Sequence, residues 1–237
     1  MILLINSSAY AYELYWYIGS AFIKPSKKVA SIFQKQNRNI KITIISGGSQ
    51  ILLQKIILSK KGDIYLPAAK HYEKIARKKG IVIYSRDFIE QIPVFGISKK
   101  ASNKIDNIYD LCGKNIKIAL GNEKTMALGR IYSKIEEKMP ENLSKCILKN
   151  CVIKATNVAQ IANYIKMNIV DAGILFSSVA NVFKFKIINI PQKFNVIDKA
   201  PLILLKFSTN KKIAEKFLNF IINNRKIFEN YGYKTCL

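Results

Sequence analysis

Ser49 stands in Ile44-Ile45-Ser46-Gly47-Gly48-Ser49-Gln50, where a strand-like run from Ile40 to Ile45 stops at two glycines. Apolar residues then recur at helical spacing, Ile51, Leu52, Leu53, Ile56 and Ile57. The pattern predicts a strand, a tight turn and a helix N-terminus with a hydroxyl beside it. Glycines let the backbone approach a ligand closely, the N–H groups of a first helical turn have no intrahelical partner, and the helix dipole favours negative charge there. Two roles are open to Ser49: cap of its own helix, or donor to an anion.

A second such unit lies upstream. Leu14-Tyr15-Trp16-Tyr17-Ile18 runs into Gly19-Ser20-Ala21, and Pro25, Val29, Ile32 and Phe33 mark a helix beyond it. Two strand-loop-helix units in succession point to an open α/β sheet whose loops converge at the carboxyl ends of its strands. Both loops offer hydroxyls and backbone N–H groups and neither contains a carboxylate, so they suit a fully deprotonated oxyanion.

The elements that must position these loops follow the same alternation. Strands are expected at 63–67, at 92–97 with an edge-type proline, at 116–120, 151–154, 172–176, 185–190 and 201–205. Helices are expected from His71 to Lys79, Leu128 to Ile135, Asn157 (as cap) to Ile165, Lys211 to Ile222 and Arg225 to Tyr231. Phe217, Phe220 and Ile221 form an apolar stripe that continues the pattern of the N-terminal part. The predicted architecture is therefore α/β with two lobes, residues 12–91 together with 200–237 in one and 92–199 in the other.

Composition narrows the function classes. The chain has 237 residues, 49% of them hydrophobic, and its net charge is +24. No apolar run approaches the roughly 20 residues of a membrane helix. The lysines are spread along nearly every helix and loop rather than clustered, which argues for solvated faces over a nucleic-acid surface. Residues 1–11 form an apolar run ending in Ala9-Tyr10-Ala11, similar to the last part of a signal peptide with a mature start near Tyr12, or else a frayed terminus. Among four cysteines, Cys146 and Cys151 are close enough in sequence to bridge, whereas Cys112 and Cys236 have no evident partner. The absence of a CxxC pair argues against structural zinc, and no cation site is expected. The sole histidine, His71, sits in a lysine-rich helix without a nucleophile-base set around it, so the chain is not expected to be an enzyme.

In order and spacing, Tyr17 to Pro25, Gly47-Gly48-Ser49, Lys61 to Pro67, Asp110-Leu111, Ala119 to Asn122, Val170 to Ile174 and Tyr231-Gly232-Tyr233 resemble the molybdate-binding protein of bacterial ABC importers. The resemblance covers nearly the whole chain from Tyr12. It implies the two-lobed periplasmic-binding-protein fold of type II, with a ligand cleft between lobes joined by two crossover strands. It also implies export to the periplasm, a monomer, molybdate or tungstate as ligand rather than any cofactor, and a membrane permease as partner. Its ligand groups fall on Ser20 and Ala21, Ser49, the backbone at Leu128, the backbone at Val158, and Phe176. The family's first-loop serine aligns with Ala21, leaving Ser20 as a substitute. Leu128 replaces an alanine, which a backbone donor tolerates. Phe176 stands where the family has a tyrosine whose hydroxyl reaches the oxyanion, and Ser177 or Ser178 could supply that bond instead. Receptors for a sulfate-like anion, ligand-sensing domains of regulators and basic nucleic-acid-binding proteins are the alternatives; the regulators carry an N-terminal helix-turn-helix for which this chain has no room.

Overall fold

Two sheets take up the alternating segments of the chain. The computed structural model describes residues 12–236, so the expected signal-peptide remnant at 1–11 lies outside the described residues. Strands β1 (Tyr12–Gly19), β2 (Ile40–Gly47), β3 (Ile64–Leu66), β4 (Val82–Gln91), β10 (Asp198–Leu205) and β11 (Lys234–Thr235) form a six-stranded sheet in the order β11-β4-β10-β3-β1-β2. Strands β5 (Pro93–Ile97), β6 (Ile118–Gly121), β7 (Cys151–Ala155), β8 (Ala172–Phe176) and β9 (Lys186–Asn189) form a five-stranded sheet in the order β7-β6-β8-β5-β9. Within each lobe the neighbours that carry the candidate-site loops are parallel: β1 with β2 and β3, and β6 with β7 and β8. Parallel pairing puts the loops that follow these strands at one end of each sheet.

The chain crosses between lobes twice. β4 leads into β5 through Ile92, and the return segment 190–197 leads from β9 into β10, where Asp198 pairs with Gln91. Helices α1 (Ile23–Gln36), α2 (Ser49–Ser59), α3 (Lys70–Lys78), α8 (Lys211–Asn223) and α9 (Lys226–Glu229) cover the first sheet. Helices α4 (Ala127–Glu136), α5 (Glu141–Lys149), α6 (Val158–Lys166) and α7 (Ser177–Phe183) belong to the second lobe.

Aromatic packing brings the C-terminal helices back to the first lobe. The ring of Phe217 on α8 meets Trp16 edge-on at 5.2 Å and Phe33 of α1 at 4.8 Å, and Phe220 meets Phe33 at 5.2 Å. Such pairs add about 0.5–1.5 kcal/mol each beyond the area they bury. Leu14, Trp16 and Ile18 on one face of β1 are fully buried and Tyr17 on the other face is buried too, which is why the strand alternates poorly.

Several elements depart from expectation. β4, α5, α7 and the two-residue β11 have no counterpart in the predicted set. β4 carries Ser85, Arg86, Asp87 and Glu90, and α5 buries only Leu143 and Ile147, so neither has a clean period. β5 is an interior strand rather than an edge. Its proline is tolerated because Pro93 opens the strand opposite Phe176 while pairing with β9 begins only at Val94.

The cysteine pairing is also corrected. Cys112, at the end of the 3₁₀ turn Ile108–Cys112, is bonded to Cys146 on α5 with Cα atoms 5.3 Å apart. α5 packs against that turn, whereas Cys151 opens β7 and its thiol donates to the Ile153 carbonyl at 3.4 Å. Cys151 and Cys236 are free thiols. Closing a loop of 34 residues restricts the unfolded chain, so replacing the pair by serine is expected to lower stability by about 3–4 kcal/mol. Peptide mapping of the oxidised protein should return a Cys112–Cys146 cross-link with Cys151 and Cys236 open to alkylation, and a Cys146–Cys151 cross-link would refute the pairing.

Candidate functional site

Four first turns face one cavity between the lobes. From the first lobe come the 3₁₀ turn Ser20–Phe22, entered through Gly19, and α2, entered through Gly48. From the second come α4, entered through Met126, and α6, entered through Asn157. All four contribute residues to the cavity wall, which carries no acidic, basic or histidine side chain. The cavity leaves about 10 Å³ for the centre of a water-sized sphere, so it is closely fitted by both lobes.

Only α6 has a side-chain cap, with the Asn157 carboxamide oxygen accepting from the Gln160 N–H at 3.1 Å. The turns at Ser20, Ser49 and Ala127 have none. Uncapped first turns keep N–H donors and a partial positive charge, and their alignment on one point favours an anion without any charged side chain.

Ser49 does not cap α2; the N-cap position belongs to Gly48. Its hydroxyl oxygen instead accepts the N–H of Ala68 at 3.0 Å, which ties the loop after β3 to the start of α2. With its oxygen engaged in that way, the hydroxyl proton is left to donate. Ser20 behaves similarly across the cleft: its oxygen accepts the N–H groups of Val158 at 3.1 Å and Ala159 at 3.4 Å. A first-lobe hydroxyl thus satisfies the first turn of a second-lobe helix.

Two buried tyrosines orient the first-lobe turns. Tyr65 donates to the Ser49 carbonyl at 2.6 Å, and Tyr233 donates to the Ala21 carbonyl. Burial raises both phenols well above the ordinary range, so they remain protonated donors. Holding these carbonyls in hydrogen bonds leaves donors rather than acceptors to face the cavity. The sequence contained both tyrosines, in Asp63-Ile64-Tyr65 and Tyr231-Gly232-Tyr233, but nothing local marks either as a support for a loop far away.

Glycines set the approach of the lobes. A Cβ on Gly48 would lie 2.6 Å from the Thr156 carbonyl oxygen and 2.7 Å from that of Thr125, both in the second lobe. A Cβ on Gly129 would lie 2.4 Å from the Asn122 carbonyl oxygen, so its absence allows the first turn of α4 to rest on the preceding loop.

Of the residues read from the sequence, Ser20, Ala21, Ser49, Leu128 and Val158 come together on this cavity. Phe176 does not join them. It is fully buried at the end of β8 and lies outside the lining, where it pairs with Pro93. Ser177 and Ser178 are not on the lining either. Glu123 and Lys124 are exposed. His71 stacks edge-on against Tyr72 and is held below the usual imidazole range by burial and by Arg130 and Lys134. Among the described residues no cluster of three or more His, Cys, Asp or Glu side chains could hold a metal ion, and no helix is long and apolar enough to cross a membrane.

The chain is similar to known proteins along nearly its full length. A Haemophilus influenzae protein named as a binding protein is 26% identical over 98% of this chain and 95% of its own. A Bacillus subtilis protein named as an ABC transporter substrate-binding lipoprotein is 24% identical over 87% of this chain and 80% of its own. Among solved structures, the periplasmic molybdate-binding protein of Azotobacter vinelandii superimposes with a TM-score of 0.79 at 17% identity, covering 93% of this chain and 98% of that one. The sulfate-binding protein SubI of Mycobacterium tuberculosis superimposes with a TM-score of 0.83 at 13% identity, covering 94% and 87%. Likeness at that identity establishes the two-lobed periplasmic-binding-protein fold, and the model of the bacterial extracellular solute-binding proteins matches residues 14–234. With that match over almost the whole chain, the protein belongs to the bacterial extracellular solute-binding protein family.

Proposed function

We propose that this protein captures a fully deprotonated tetrahedral oxyanion, molybdate or tungstate, between its lobes and delivers it to the membrane permease of an ABC importer from the periplasmic side. The observation that carries the reading is the convergence of four first turns, three without side-chain caps, on a cavity without charged side chains. Backbone and hydroxyl donors can satisfy an oxyanion on every side, whereas a protonated anion would bring its own O–H against donors. Neutral dipoles also suit a carrier, because a ligand held without an opposite full charge is released at lower cost when the lobes part. The match to a solute-binding family and the neutral cavity wall support binding as the role. Sulfate is the second reading, favoured by the likeness to a sulfate-binding protein. A thermal-shift series with molybdate, tungstate, sulfate, phosphate and chromate tests both, since a ligand at 100 times its dissociation constant adds about 2.7 kcal/mol of stability.

Ser49→Ala removes the hydroxyl donor and the acceptor for Ala68. Affinity for the best oxyanion should fall tenfold or more, corresponding to about 1.5–3 kcal/mol for a hydrogen bond to a charged group. Calorimetric titration that found the affinity unchanged would restrict Ser49 to its tie with Ala68.

Gly48→Ala should oppose closure without unfolding the first lobe. The backbone of Gly48, with φ −67° and ψ 136°, is open to alanine, but its Cβ would meet carbonyl oxygens of the other lobe. Affinity should drop at least tenfold, more than 1.4 kcal/mol. In small-angle scattering with saturating anion, the radius of gyration should stay above that of the wild-type complex; equal radii would show that the lobes meet differently.

Affinity should also be independent of pH from neutrality up to the onset of phenol ionisation, because no titratable side chain lines the cavity and the supporting tyrosines are shifted upward. A titration series showing a sigmoidal loss within that window would reveal an ionising group at the ligand.

A further inference from the structure

A second chamber adjoins the anion cavity. It offers about 120 Å³ to the centre of a water-sized sphere and is walled mainly by Ile23, Val179, Val182, Phe183 and Tyr233. Its wall is mainly apolar: the Tyr233 hydroxyl donates to the Ala21 carbonyl, and the one charged group on it, the exposed Lys24 ammonium, lies 4.9 Å from the centre of the Phe183 ring. The chamber therefore suits an apolar group, with Lys24 its single cation.

Ser20, Ala21 and Val158 line both spaces, so the Ser20–Val158 hydrogen bond lies in the wall between them. On another side of the anion cavity, Gly48 backs directly onto the Thr125 and Thr156 carbonyl oxygens, where not even a methyl group fits. An oxyanion that carried an organic substituent would have an apolar space to put it in, but the way there is barred by the Ser20 hydroxyl held between two N–H groups of α6.

We propose that Ser20 is the specificity-determining partition of this cleft: its hydrogen bonds to Val158 and Ala159 close the anion cavity against the apolar chamber and restrict the site to oxyanions without an organic substituent. The proposal rests on the reading of the cavity as an oxyanion site. The hydroxyl does two things at once. It accepts from the first turn of α6, and it keeps its own proton for the anion, so the same atom serves closure and selection. Shortening it to alanine or glycine removes the partition and joins the two spaces.

The test is calorimetric titration of wild type, Ser20→Ala and Ser20→Gly with molybdate, tungstate, sulfate, phosphite and phenylphosphonate. Titration at alkaline pH makes phosphite and phenylphosphonate dianions with the same three-oxygen head. Wild type should bind an inorganic dianion and reject phenylphosphonate, and at least one variant with a wild-type melting profile should bind phenylphosphonate about tenfold or more tightly than wild type does, the scale on which pockets discriminate apolar groups. Phenylphosphonate binding to wild type as tightly as phosphite would overturn the proposal. So would folded variants, or a folded Ser20→Ala alone if glycine disrupts the turn, that gain no affinity for it. Failure of wild type to bind any of the inorganic dianions would instead overturn the reading of the cavity as an anion site, and the partition with it.

Discussion

A helix leaves the N–H groups of its first turn without partners inside the helix, and those donors must be satisfied from outside. In this protein the turns at Ser20, Ser49 and Ala127 lack side-chain caps and line a cavity between two lobes. Buried donors without partners are costly, about 1–3 kcal/mol each, so their gathering on one point amounts to a demand for an acceptor. α6 differs, because Asn157 caps it and Ser20 from the opposite lobe takes two of its N–H groups. The cleft is organised by where these donors go.

The rest of the structure serves that arrangement. Parallel strands bring the turns to one end of each sheet, and the two crossings near Gln91 and Asp198 link the lobes. Tyr65 and Tyr233 hold carbonyls that would otherwise compete for the same space. Gly48 brings the first lobe within contact of two second-lobe carbonyl oxygens. Each device is uncharged, so the field at the cavity comes from oriented peptide groups.

The net charge of +24 has a separate place in the molecule. None of the lysines lines the cavity between the lobes, and several pair with carboxylates at the surface, as Lys41 with Glu13 and Lys145 with Glu141. Such pairs contribute little to stability, typically about 0–1 kcal/mol, and are screened by salt. Their long-range field is the kind that draws anions toward a protein, which agrees with the proposed ligand class.

Much of the fold was legible in the sequence because it is written in local patterns. The glycine-serine turns after β1 and β2, the periodicity of α1, α2, α4, α6 and α8, and the Asn157 cap all arise from residues within a few positions of one another. That places Ser20, Ser49, Leu128 and Val158 at the ends of their elements before any tertiary contact is known. β4 and α5 escaped because mixed polar residues blur their periods. The pairing of Cys112 with Cys146, the acceptance of Ala68 N–H by Ser49, the removal of Phe176 from the cavity wall and the bond from Ser20 to Val158 were decided only when the lobes packed. These contacts join residues far apart in the chain, 138 positions in the last case, and no local propensity specifies which of many possible partners a hydroxyl or thiol will meet. Sequence determined which groups could donate; chain topology and the absence of a Cβ at Gly48 determined which of them share a cavity and which Ser20 keeps apart.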